Sequence, residues 1–239
     1  MALTDQRVLI LGGTSGIGRA TAELAAQQGA EVVVVSRNPG NVDRAVKSLP
    51  ATASGHAVDL TDVGAVEELL RRVGAVDHLV FTAGESLALG SLESMDLEVA
   101  RQFFALRYFG ALTAVRSAAP LLRAGGSIVL TTGVAAVRPR PGWTVAASIC
   151  AAVEGLVRAL AVELAPIRVN AVSPGLVRSP LWASMDDASR EQLYRDTAAT
   201  IPVGRAGEPA DIAQAYLFLM TQGFATGSVV TVDGGAVLV

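Results

Sequence analysis

The chain has a single cysteine, Cys150, only two histidines, His56 and His78, and charged side chains at just 17% of its 239 positions. One cysteine excludes an internal disulfide, and the histidines fall in no spacing that would hold a metal. Both lie at the starts of expected strands, far from the strand ends where ligands gather, so neither is assigned a role. The net charge of −3 comes with no cluster of lysine or arginine, which removes the electrostatic basis for binding nucleic acid or an anionic membrane surface. No Pro/Gly/Ser-rich or charge-rich linker divides the chain, so one domain over residues 1–239 is expected. The first residues run into a strand pattern at 7–11 without a basic-then-apolar leader. The most apolar helical stretch, 145–164, is interrupted by Glu154, Arg158 and Glu163, too many charges for a bilayer span. A cytoplasmic protein with no membrane partner is the expectation.

What is abundant is apolar side chain: 51% of residues are hydrophobic and mean hydropathy is +0.45. That supports a continuous core and leaves an apolar surface suited to self-association. Short β-branched runs recur at 7–11, 31–36, 78–82, 127–132, 167–172 and 229–232, with a weaker one at 55–58. Helical spacing fills the intervals at 17–28, 42–49, 63–73, 98–119, 145–164 and 209–221. Such alternation predicts an α/β fold of Rossmann type, a doubly wound parallel sheet of about seven strands with helices on both faces. Its ligand site then lies at the carboxyl ends of the strands.

The first strand leads directly into Gly12-Gly13-Thr14-Ser15-Gly16-Ile17-Gly18, which opens the first helix. Glycines at 12, 16 and 18 permit a tight turn, close backbone approach to a pyrophosphate and close helix packing, and the helix N-terminus offers unpaired N–H groups to the anion. About twenty residues on, where an NAD binder usually carries an acid for the ribose 2′-hydroxyl, stand Ser36, Arg37 and Asn38. A carboxylate would repel a 2′-phosphate, whereas Ser36 and Arg37 can bind it. Hydrogen bonds to a charged partner are worth roughly a ten- to hundredfold preference, so NADP(H) is the expected cofactor.

The order G-x-x-x-G-x-G resembles the short-chain dehydrogenase/reductase family, and four further segments extend the resemblance along essentially the whole chain. Asp59-Leu60 and Thr82-Ala83-Gly84 resemble that family's adenine-contacting and Asn-Ala-Gly segments, with Thr82 where Asn is usual. Asn170 to Gly175, including Pro174, together with Val177 and Ser179, resembles the stretch that meets the nicotinamide carboxamide. Val232-Asp233-Gly234-Gly235 resembles the closing strand. The resemblance implies an oxidoreductase acting on a small molecule. It also implies a substrate lid, here at about 176–208, and a homodimer or homotetramer paired through the helices at 98–119 and 145–164.

It further implies a Tyr-x-x-x-Lys pair with a supporting Ser and Asn, and here this chain departs. Aligning Cys150-Ala151-Ala152-Val153-Glu154-Gly155-Leu156 with the helix that usually begins at the Lys puts Cys150 at the Lys position and Ala146 at the Tyr position. Gly133 falls at the Ser and Arg107 at the Asn. No shift of alignment restores the pair, because Lys47 is the only lysine and the tyrosines are Tyr108, Tyr194 and Tyr216. A positioned general acid contributes about 10²–10⁴ in rate, so an ordinary ketone should be reduced poorly, while a pre-activated substrate would not need it. Replacement candidates are Arg107 as an oxyanion clamp, Glu85 as an acid if burial raises its pKa, and the hydroxyls of Thr131 and Thr132. Arg138, Arg140 and Trp143 follow in a Pro-rich loop suited to an anionic or aromatic substrate, and Cys150 reads as a small filler. Two readings remain open: an NADP(H)-dependent oxidoreductase without the Tyr/Lys pair, or a cofactor-binding non-redox protein such as a sensor, a partner subunit or a lyase- or cyclase-type catalyst.

Overall fold

The computed structural model describes residues 1–86 and 89–239. Seven parallel strands make one sheet: β1 (Arg7–Leu11), β2 (Glu31–Ser36), β3 (Ser54–Ala57), β4 (Val76–Phe81), β5 (Leu122–Thr131), β6 (Arg168–Pro174) and β7 (Val229–Val232), in the order β3-β2-β1-β4-β5-β6-β7. The central strands are near-continuous apolar runs because both sheet faces are covered. In β2, Val32 to Val35 are all buried, alternating between two core clusters. One cluster packs α1 (Gly16–Gln27), α2 (Pro39–Lys47) and α8 (Pro209–Thr221) on the face carrying Val32 and Val34. The other packs α3 (Val63–Val73), α4 (Leu97–Phe104), α5 (Ala111–Ala118) and α6 (Thr144–Glu163) on the face carrying Val33 and Val35.

Strand order reverses between β1 and β4, since the chain leaves β1 toward β2 and β3 and returns on its other side. The crevice at that reversal opens at the carboxyl ends of β1 and β4, where Gly12 and Thr82 follow the strands.

Several elements differ from the sequence expectation. The helix expected over 98–119 is α4 and α5 separated by a π-helical turn at Ala105–Gly110. Gly110 closes that turn, where a Cβ would come within 3.1 Å of the Leu60 carbonyl. Asn38, accepting from the Asn41 N–H, starts α2 three residues early with Pro39 in its first turn. A helix not anticipated, α7 (Asp187–Thr200), lies within the expected lid, capped by Asp186. Only Tyr194 and Thr197 of α7 are buried, so it has no apolar stripe to read. A window of α6 reaches mean hydropathy 1.8, long and apolar enough to cross a membrane, so its three charges do not by themselves exclude a span as expected. Ile149, Val153, Val157 and Leu160 of α6 are buried in the core cluster beneath the sheet, so one face of this helix belongs to the core. His56 is level with Val35 near the carboxyl end of β3, not at a strand start.

Candidate functional site

The turn after β1 is shaped by backbone contact. Gly12 has φ +95°, and a Cβ there would sit 2.5 Å from the Ala83 nitrogen. A Cβ on Gly18 would collide with the Gly12 carbonyl and the Thr82 hydroxyl, so α1 can lie this close to β1 and β4 only with glycine there. Ser15 precedes α1 without capping it through its side chain, and the first backbone N–H bonded within the helix is that of Arg19, to the Ser15 carbonyl. The N–H groups ahead of it face the crevice end of β1, a donor set suited to a pyrophosphate. Gly16, at φ +49°, lies against Ser179 and Pro180, where its Cβ would be 3.4 and 3.2 Å from their nearest atoms. The two halves of the expected dinucleotide site therefore meet at this turn.

At the other end of the expected site Ser36 ends β2 half-buried, and Arg37 is exposed with no salt-bridge partner among the described residues. The side-chain oxygen of Asn38 is committed to the α2 cap at 3.2 Å. Asp59 accepts from the Thr61 N–H and hydroxyl at 2.9 and 2.7 Å, bonds that hold its carboxyl below the usual range with help from Arg37. Leu60 beside it is buried. Thr82 donates its hydroxyl to the Leu11 carbonyl at 3.2 Å. Asn170 is a structural residue: it donates to the Ala225 carbonyl at 2.8 Å and accepts from the Ser228 N–H at 3.0 Å.

A cleft of about 160 Å³ runs from the ends of β4, β5 and β6 to α6 and the 176–182 segment. Thr82, Ala83, Pro174, Gly175, Val177 and Ser179 line it, joining the expected nicotinamide end to Arg107, Thr132, Gly133, Ala146 and Cys150. Among the described residues lining it, none is a tyrosine, lysine or histidine, and Arg107 is the one charged side chain. Lys47 ends α2, Tyr216 is buried under β5, Tyr194 packs in the 176–208 segment and Tyr108 lies on the π-helical turn.

The candidates for chemistry divide once their partners are known. Thr131 donates to the Phe81 carbonyl at 2.6 Å and receives the Tyr216 hydroxyl at 2.5 Å, so it ties the sheet to α8. Burial pushes the Tyr216 phenol well above its usual value, against the Thr131 bond. Thr132 directs its one proton to the Cys150 carbonyl at 3.0 Å, with the Glu154 carboxylate at 3.4 Å. Burial pushes the Cys150 thiol up, against Thr132 and the field of Arg107, which matches a filler rather than a thiolate. A Cβ on Gly133 would lie 3.3 Å from the Cys150 sulfur. Burial likewise pushes the Glu85 carboxyl up despite Arg107 and Arg37. Glu85, however, is not on the cleft wall and stands behind Arg107. Arg138 bonds the Val237 carbonyl at 3.2 Å and Arg140 stacks on Trp143 at 5.7 Å, so of these three only Trp143 reaches the cleft.

Sequence reasoning did not single out the cleft's apolar lining, notably Leu89, Phe103, Ile149, Leu181 and Trp182. Trp182 is buried beside Tyr194 and Ala206 in a small core belonging to the 176–208 segment, and its indole N–H donates to the Val177 carbonyl at 3.1 Å. Arg178 holds this segment together, bonding Glu191 at 2.9 Å and stacking on Tyr194 at 4.3 Å. A tryptophan inside a Pro-flanked turn was the available signal for it.

A family model described as Enoyl-(Acyl carrier protein) reductase matches residues 12–237. The short-chain dehydrogenase/reductase ATR9 of Stachybotrys chlorohalonatus is 36% identical over 254 residues, 99% of this chain and 98% of that protein. The crystal structure of a small-chain dehydrogenase in complex with NADPH is 37% identical, with a TM-score of 0.89 covering 98% of this chain and 99% of that one. The MalC reductase/Diels-Alderase of Malbranchea aurantiaca superposes with a TM-score of 0.92 at 30% identity, covering 100% of this chain and 98% of that one.

Proposed function

The chain belongs to the short-chain dehydrogenase/reductase family, and from that premise we propose that it is an NADP(H)-dependent oxidoreductase that works without the Tyr/Lys pair on a pre-activated small molecule. The observation that carries this reading is a complete cofactor cradle opening onto a cleft whose described walls hold no tyrosine or lysine. The cradle fits the cofactor: glycine is required at 12 and 18 by contact with Ala83 and Thr82, and the head of α1 offers unpaired donors. Arg37 is exposed and has no salt-bridge partner among the described residues, where a 2′-phosphate would sit. The relative crystallised with NADPH supports the same choice. When bound, NADPH supplies the hydride, which is the cofactor's own chemistry.

The chain's residues bind, orient and exclude water. Ser15, Gly16, Ile17 and Gly18 would hold the pyrophosphate, Ser36 and Arg37 the 2′-phosphate, and Asp59 and Leu60 would flank the adenine. Pro174, Gly175, Val177 and Ser179 would flank the nicotinamide, and the 176–208 segment, stiffened by Trp182 and Arg178, would serve as the substrate lid. Gly133, Ala146 and Cys150 stand at the family's Ser, Tyr and Lys positions and Arg107 at its Asn. Gly133 and Ala146 carry no ionisable group, and the Cys150 thiol, kept protonated by burial, has no lysine beside it to tune it as an acid, so an already electrophilic acceptor such as an iminium or a strongly polarised conjugated system suits the cleft. A second reading, a cyclase-type reaction in which the cofactor is structural, is favoured by the same absent acid and by the Diels-Alderase named among the similar structures.

Calorimetric titration tests the cofactor assignment. NADPH should bind roughly ten- to hundredfold more tightly than NADH, and Arg37→Asp should reverse that order. Equal affinities in the unaltered protein would contradict it.

A further inference from the structure

The cleft is mostly apolar, its polar side chains being the hydroxyls of Thr82, Thr131, Thr132 and Ser179 and, as the one charged group, Arg107. Leu89, Phe103, Trp143, Ile149, Leu181 and Trp182 supply a broad hydrocarbon and aromatic lining, and the small Gly133, Ala146 and Cys150 leave room beside it. Such a lining removes water from a ring-bearing body and gives it dispersion contact. It also makes any charge brought in by a ligand costly unless a counter-charge is waiting.

Arg107 is that counter-charge, and its pose is fixed on three sides. Its Nη2 donates to the Glu85 carbonyl, and its Nε lies 3.4 Å from the Glu85 carboxylate in ion-pair contact without hydrogen-bond alignment. The guanidinium lies flat on Gly84, where a Cβ would come within 2.7 Å of it, and the Phe103 ring is 5.8 Å away. A glycine at 84 is thus what admits the planar group. Nη1 has no partner among the described residues and is not one of the buried unpaired atoms, which leaves it as the donor open to the cleft.

Resting on the reading of this cleft as the substrate site, we propose that its substrate is a bulky, ring-bearing apolar molecule carrying one carboxylate, which is seated on Nη1 of Arg107. The incomplete pairing with Glu85 leaves the guanidinium able to accept a second carboxylate, and a neutral isostere gains no comparable partner on the remaining wall.

The test uses 2-naphthoate and its neutral isostere 2-naphthamide, titrated by calorimetry into the unaltered chain with and without NADPH. Naphthoate should bind about tenfold or more tightly than the amide. Arg107→Met should bring the two affinities together, with the amide little changed, and Glu85→Gln should tighten naphthoate by removing its competitor. No preference in the unaltered chain, including failure of both to bind, or a preference that survives Arg107→Met, overturns the proposal. A lost preference with NADPH still bound leaves the cofactor assignment standing. A clear preference without NADPH binding overturns the oxidoreductase reading alone.

Discussion

His78 shows how one residue ties acid stability to the fold. It is buried at the amino-terminal side of the sheet, its Nε2 2.8 Å from Gln6 Oε1 and its Nδ1 2.8 Å from the Ser127 hydroxyl. The neutral ring satisfies both, donating to Gln6 and accepting from Ser127. Burial foremost, with Arg168 adding to it and Asp77 opposing, lowers its pKa from 6.5 to about 4. The unfolded chain therefore takes up a proton in a pH range where the native chain does not. This contribution is fully present above pH 6.5 and is lost as pH falls toward about 4, amounting to about 3 kcal/mol at most. Urea midpoints should fall over that interval, and fall less steeply in His78→Gln; identical slopes would contradict the assignment. The histidine's partners were invisible in the sequence, since Gln6 and Ser127 meet it only through strand pairing. The glycines at 12 and 18 were legible because a backbone turn and a close approach leave no other choice. Glu85 was legible as a titratable neighbour of the site but not as a residue behind Arg107, because that depends on where the guanidinium lies.

Elements with strong period were legible, and those set by backbone detail were not. The β-branched runs gave all seven strands, yet β5 begins at Leu122, five residues before the expected start, because its exposed first half lacks the apolar pattern. The π-helical turn under Arg107 left no mark on a helical pattern that continues through it, and polar α7 offered no stripe. The outer faces of α5 and α6 carry a prediction of their own. Phe109 and Val162 are 58% and 81% exposed, and Leu112, Leu156 and Leu160 line a shallow groove between the two helices. Apolar surface of this kind on α6, on α5 and on the π-helical turn that leads into α5 is suited to pairing across a twofold axis, so a dimer or tetramer is expected in solution. Light scattering at micromolar concentration checks it, and a monomer would contradict it.

At the scale of the whole molecule, topology brings distant segments to one place. Strand reversal beside β1 gathers Gly12, Thr82, Gly133 and Pro174 at one rim, and the returning 176–182 segment closes over Gly16. That convergence was legible in the sequence through the order of its segments. The apolar character of the cleft was not, because its lining comes from residues scattered between Ile17 and Trp182. The proposed combination of a cofactor cradle with a cleft that works without a Tyr/Lys pair is tested most directly by the rate of NADPH oxidation. With cyclic iminium ions or strongly polarised enals as acceptors, oxidation of NADPH is predicted, while simple ketones should turn over more slowly by about the 10²–10⁴ that a positioned acid supplies. Turnover of an unactivated ketone at about 1–10³ s⁻¹, the ordinary range for enzymes, would contradict the account.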